Sequence, residues 1–107
     1  MLNKKYRITK KEDFTEINKK GKKIGSSHFI IKFTQNSLGY SRYGIIISTK
    51  ISKKAVERNK IKRQLREIIR INYDTLPQGY DIVIYTKKNI CNVLFHELEK
   101  EILKSLA

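Results

Sequence analysis

The sequence predicts an α+β fold, a small sheet covered by helices in the order α-β-β-α-β-α. Three observations lead there. Two stretches before residue 50 place apolar residues with the rhythm of strands, a long central stretch repeats them with the rhythm of a helix, and a third strand-like run, YDIVIY, follows it. A strand, a helix and a strand in succession form a β-α-β crossover, which lays the central helix against the sheet. The 107 residues contain no repeat, linker or compositional break, so the chain reads as a single domain over 1–107.

Each element has its own warrant. Thr9-Lys10-Lys11-Glu12 has the form of a capping box, a hydroxyl at a helix start with a carboxylate three residues on. Phe14 and Ile17 then share a face and Gly21 supplies a stop, so a short helix is expected over residues 10–20. In HFIIKFT, residues 28–34, Phe29, Ile31 and Phe33 fall on one side of a strand. Asn36-Ser37-Leu38-Gly39 is turn chemistry, and residues 43–48, with Ile45-Ile46-Ile47, read as a more buried second strand. Residues 52–72 form the clearest helix, because Ile61, Leu65, Ile68 and Ile69 make one apolar stripe. Pro77 and Gly79 break the chain, residues 80–85 form the third strand, and residues 91–105 close it as a helix with Cys91, Phe95, Leu98 and Ile102 inward.

Charge narrows the partner. Lys and Arg number 24 against 10 Asp and Glu, a formal +14. So much like charge on a small body repels itself and calls for an anionic partner. Nucleic acid is the first expectation, with an anionic membrane surface or an acidic protein behind it. One cysteine excludes a disulfide framework and a cysteine-rich zinc site. No stretch approaches the ~20 apolar residues of a membrane span, and no apolar segment follows the charged start. A cytoplasmic protein, itself monomeric, is expected.

The 52–72 helix carries a second stripe. At about 100° per residue, Arg58, Lys62, Arg66 and Arg70 climb one side in i+4 steps, with Asn59 and Arg63 beside them. Glu57, Gln64 and Glu67 are expected on a different side, screening little of it. Like charges at this spacing destabilise an isolated helix by a few tenths of a kcal/mol per pair, whereas a solvated face mixes signs. Lys50, Lys53 and Lys54 crowd the helix start, where backbone N–H groups and ammonium groups together suit a phosphate. The concentration of arginine on this helix favours forked contacts to phosphates or base edges over bulk charge.

The stretch AVERNKIKRQLRE, residues 55–67, resembles the signature of the bacterial ribonuclease P protein subunit: an Ala-Val pair, Arg-Asn, Lys-Arg and a further Arg at this spacing. Glu12-Asp13-Phe14 in a helix ending at Gly21, and the Gly44 to Lys50 stretch, extend the resemblance over about residues 4–105. The resemblance implies a small, non-catalytic protein partner of a catalytic RNA that removes the 5′ leader from precursor tRNA. Mg²⁺ would be held mainly by the RNA, with none bound by the protein alone and no small-molecule substrate. It also implies a left-handed β-α-β crossover, against the usual right-handed rule.

Carried over by position, Arg58, Asn59, Lys62, Arg63 and Arg66 would contact the RNA subunit, with Arg70 continuing the stripe and Lys50, Lys53 and Lys54 in the basic loop before it. The leader would lie in a cleft between the first helix and the sheet, lined by Phe14, Ile17, Asn18 and Lys32. Asn18 and Lys32 stand where the family often has aromatics, which weakens base stacking in favour of an electrostatic grip. A stacked base is worth ~1–3 kcal/mol.

Other residues invite weaker readings. His28 and His96 could in principle serve as acid and base, but no Asp/Glu/His set stands nearby at ligand spacing, and both are expected to be structural. Cys91 reads as a small core hydrophobe, and Glu97, Glu99 and Glu101 as a solvated helix face. Tyr40, Arg42 and Tyr43 interleave aromatics and a cation, a pattern shared by nucleic-acid surfaces and ordinary strand edges. Two rival functions stand beside the ribonucleoprotein subunit. One is a generic basic module of ribosomal or nucleoid type; the other is a stand-alone protein nuclease.

Overall fold

A computed structural model describes residues 3–47, 53–87, 90 and 93–106. In chain order these form α1 (Lys11–Lys20), β1 (Lys22–Gly25), β2 (Phe29–Gln35), β3 (Arg42–Ile46), α2 (Ala55–Asn72), β4 (Tyr80–Thr86) and α3 (Phe95–Leu106), with short 3-10 turns at Lys4–Tyr6 and Tyr73–Thr75. The four strands make one sheet in the order β1-β2-β4-β3. β2 runs antiparallel to β1 and β4, while β3 and β4 pair in parallel across the α2 connection. The expected α+β layering and crossover are therefore present, with one strand more than expected.

Register assigns the side chains to two faces. Phe29, Ile31, Tyr43, Ile82 and Ile84 are buried on one, where they meet Ile61, Leu65, Ile68 and Ile69 of α2 and Leu98, Ile102 and Leu106 of α3. All four α2 residues are those of the expected apolar stripe. Each such side chain contributes about 1.5–3 kcal/mol when fully buried. The opposite face is smaller: Val83 packs with Ile8 and Ile17 of the α1 side, flanked by Phe14, Ile46 and Tyr85.

Several element boundaries differ from the expectation. The capping box does not form: the N-cap of α1 is Lys10, in extended conformation, with no side-chain cap bond. The cause lies just upstream. Arg7 bridges Tyr43 in parallel, and the Ile8 N–H donates to the Tyr43 carbonyl at 2.9 Å, which keeps the chain extended into residue 10. Glu12 and Asp13 still occupy the first turn, where acidic groups suit the helix dipole. Gly21 does end the helix, donating its N–H to Ile17 O at 2.8 Å. A Cβ there would lie 2.5 Å from that oxygen, so the stop depends on close backbone approach.

β1 was hidden by its composition, Lys-Lys-Ile-Gly, which suits an exposed edge strand more than a buried one. α3 starts at Phe95, later than expected, and leaves Phe95 half-buried. Cys91 lies outside the described residues, as do residues 48–52, on which the end of the expected second strand and the start of the long helix fall.

Candidate nucleic-acid interface

α2 presents its polar face because its apolar stripe is committed to the sheet. Arg58, Lys62 and Arg66 are half-buried along one flank, while Asn59, Arg63 and Arg70 are exposed. No described residue forms an ion pair with Lys62, Arg63 or Arg66. Burial first, and the charge of Arg7 second, lower the pKa of Arg66. Lys53 and Lys54 are exposed at the helix start, where Lys54 is the N-cap and offers no side-chain cap bond. Lys50 lies outside the described residues. Val56, the larger member of the Ala-Val pair, is 77% exposed.

Arg70 departs from the expectation. Its Nε donates to both carboxylate oxygens of Glu67 at 3.1 Å, and its Nη2 also bonds Glu67. The hydrogen bond to Arg70 holds the Glu67 carboxyl below its ordinary pKa, and the same bond raises that of Arg70. Residues three apart on a helix are only ~60° apart around its axis, within reach of two long side chains. Glu67 thus screens the end of the stripe.

The second surface lies where α1 crosses the sheet. Phe14 sits over Gly44, whose missing side chain makes room for the ring. Ile17 is 2% exposed and packs with Ile8 and Val83, so it is a core residue and not a surface contact. Asn18 is exposed and accepts a hydrogen bond from Lys32 Nζ. That ammonium also lies 5.5 Å from the Tyr85 ring centroid, a cation–π distance. Tyr85 was missed in the sequence. Its place follows from strand alternation, since it shares a face with Val83 and opposes Ile82 and Ile84. An aromatic platform is thus present next to Lys32.

Other tempting residues are structural. Arg42 makes a bidentate pair with Asp81, at 2.9 and 2.6 Å, and reaches Asp13 of α1 at 3.6 Å. Tyr43 is buried in the core. Tyr40 is half-buried, with its ring edge-on to Tyr6 and Lys5 Nζ 4.5 Å from its centroid. Glu101 is no solvated residue: it accepts from Ser26 Oγ at 2.6 Å and from the His28 N–H at 2.8 Å, and pairs with His28 Nδ1 at 2.6 Å. Glu99 accepts from Asn72 at 2.9 Å, which ties α3 to α2. His96 and Glu97 are exposed. Among the described residues no three His, Cys, Asp or Glu side chains converge on a cation, and no helix is long and apolar enough to cross a membrane.

Comparison with known proteins agrees with this arrangement. A family model described as Ribonuclease P matches residues 2–107. Relatives named ribonuclease P protein component include one from Pelotomaculum thermopropionicum, 35% identical over 92% of this chain and 88% of the relative. Another, from Thermotoga maritima, is 42% identical over 78% of this chain and 71% of the relative. A solved structure of the Thermotoga maritima protein superposes with a TM-score of 0.87 at 36% identity, covering 94% of each chain. The Staphylococcus aureus protein does so with a TM-score of 0.86 at 29% identity, covering 94% of this chain and 92% of that one. A single four-stranded domain with a basic α2, matched over residues 2–107, makes the chain a member of the ribonuclease P protein family.

Proposed function

We propose that this chain is the protein subunit of a ribonuclease P, gripping the catalytic RNA along α2 and the 5′ leader of precursor tRNA across the cleft under α1. The observation that carries the reading is the unneutralised row Lys62, Arg63 and Arg66 on a helix whose other face is fully committed to the core. Lys53, Lys54, Arg58 and Asn59 extend that surface toward the helix start, where backbone N–H groups add to the attraction for phosphate.

Phe14 and Tyr85 offer aromatic faces to the unpaired leader, and Lys32 and Asn18 offer a cation and an amide to its backbone. Single strands are held by this pairing of ring faces with positive charge. The protein's work is to position RNA and neutralise phosphates. The carboxylates of the described residues form no cage for a hard cation, and the reading assigns the catalytic Mg²⁺ to the RNA. The protein acts in the cytoplasm as a monomer within the holoenzyme.

Reconstitution tests this. Purified protein is mixed with a bacterial ribonuclease P RNA at low Mg²⁺, and 5′-leader removal from precursor tRNA is followed. The expected result is cleavage at the mature 5′ end only when both components are present. Cleavage by the protein alone would make it a nuclease in its own right. Equal affinity for the RNA and for any duplex, without stimulated cleavage, would reduce it to a generic basic module.

A further inference from the structure

One cation near α2 belongs to neither the motif nor the cleft. Arg7 lies on the segment before α1, bridged in parallel to Tyr43 along the outer edge of β3. Residues paired across neighbouring strands project to the same side, so Arg7 projects with Tyr43 toward the layer of α2. Its Nε is buried and has no hydrogen-bond partner. Nor does any described carboxylate form an ion pair with Arg7 or with Arg66. Burial lowers the pKa of Arg66, and the Arg7 charge adds to that shift, as a neighbouring like charge would.

The protein therefore holds two partly desolvated like charges together, one fixed by strand pairing and one by a packed helix. A buried donor without a partner and a like-charge neighbour both carry a cost. A tetrahedral oxyanion removes both, because two guanidinium forks can share its oxygens. Arg66 also continues the row of Arg58 and Lys62 at one-turn intervals, an array that serves a polyanion better than an isolated ion.

We propose that Arg7 and Arg66 clamp one phosphate of the RNA backbone, which brings the segment before α1 into the interface carried by α2. The inference rests on the reading of α2 as an RNA-binding face and adds to it a residue outside the helix.

The test compares wild type, Arg7→Gln, Arg66→Gln and the double variant for affinity to a bacterial ribonuclease P RNA over a range of salt. Arg7→Gln should bind about tenfold more weakly, and the double variant, which leaves that phosphate without a cation, should show a log–log salt slope shallower by about 0.9. The second substitution should cost less in the Arg7→Gln background than in wild type, because the phosphate is shared. Thermal unfolding without RNA separates this from a structural role. Arg7→Gln should melt no lower than wild type, and inorganic phosphate should raise the melting temperature of wild type more than that of the variant.

Unchanged affinity in Arg7→Gln, or an unchanged slope in the double variant, overturns the clamp while leaving the wider interface standing. Weaker RNA binding that tracks a lowered melting temperature makes Arg7 structural and also overturns it. Lost phosphate stabilisation with RNA affinity intact makes the site one for a free anion, against the proposal. If Arg7→Gln does not fold, Arg7→Lys decides: it should keep the salt slope and lose affinity, and wild-type affinity there overturns the clamp. Wild-type protein that fails to bind the RNA at all removes the reading on which the clamp rests.

Discussion

A Cβ built on Gly44 would lie 2.5 Å from Cε1 and 2.8 Å from Cζ of Phe14, so alanine there must push the far end of the ring away from the sheet. Phe14→Ala removes the ring outright. Both substitutions should leave affinity for the RNA subunit almost unchanged, because Phe14 belongs to the α1 cleft and not to α2. Phe14→Ala should reduce the preference for leader-bearing over mature tRNA by roughly tenfold, with Gly44→Ala lowering it less; competition binding at a temperature well below melting measures this. On α2 the contrast is between neighbours. Arg66→Ala should weaken assembly with the RNA by ~1–3 kcal/mol, whereas Arg70→Ala should change it far less, since Glu67 already occupies that fork. Filter binding at fixed salt checks the pair. The α2 row was legible because helical spacing alone sorts its residues onto a flank. Arg7 was not, because its place depends on a bridge to Tyr43, 36 residues away in the chain. Tyr85 was legible in principle from strand alternation, but only once the sheet's two faces had owners.

At the scale of elements, α3 is fastened to the turn between β1 and β2 through one carboxylate. Burial raises the pKa of Glu101, but the hydrogen bonds from Ser26 and His28 outweigh it and hold the group below its ordinary value. A carboxylate depressed in the folded state contributes stability that is full above its unfolded pKa, near ~4.3, and fades as pH falls through the folded value. The melting temperature of wild type should therefore fall as pH drops through and below that region. Glu101→Gln should start lower at neutral pH and fall less steeply there; thermal unfolding followed by circular dichroism at several pH values checks both. This tether was invisible in the sequence, where Glu97, Glu99 and Glu101 read alike, because contact with His28 spans 73 residues. Elements with a strong internal period were legible: the four buried residues of α2 and the alternation of β2 follow from spacing alone. β1 was not, since a short edge strand rich in lysine carries no apolar rhythm. The capping box failed for a related reason. A local motif lost to a backbone bond from Ile8 to Tyr43 made elsewhere in the fold.

At the scale of the whole molecule, charge sets two responses to salt that should run in opposite directions. The net +14 sits on a body with a radius of gyration of 12.9 Å. The screening length at 0.1 M salt is ~10 Å, so in dilute buffer the cations repel one another across much of the molecule. Adding salt should therefore raise the melting temperature of the free protein. The same salt should weaken the complex, because each phosphate neutralised on binding releases a counterion. With ~5–8 phosphates engaged, the log–log slope should be about −4 to −7 for affinity to a ribonuclease P RNA. The crossing of these trends carries the argument: cations arranged for internal ion pairs would lose stability in salt. Cations whose partner lies outside the chain should instead gain stability as salt screens their mutual repulsion. Calorimetry of the free protein and binding titrations over one salt series measure both. A melting temperature that falls as salt rises would mean that the charges mainly pair with one another, and the basic face of α2 would lose its claim to be built for RNA.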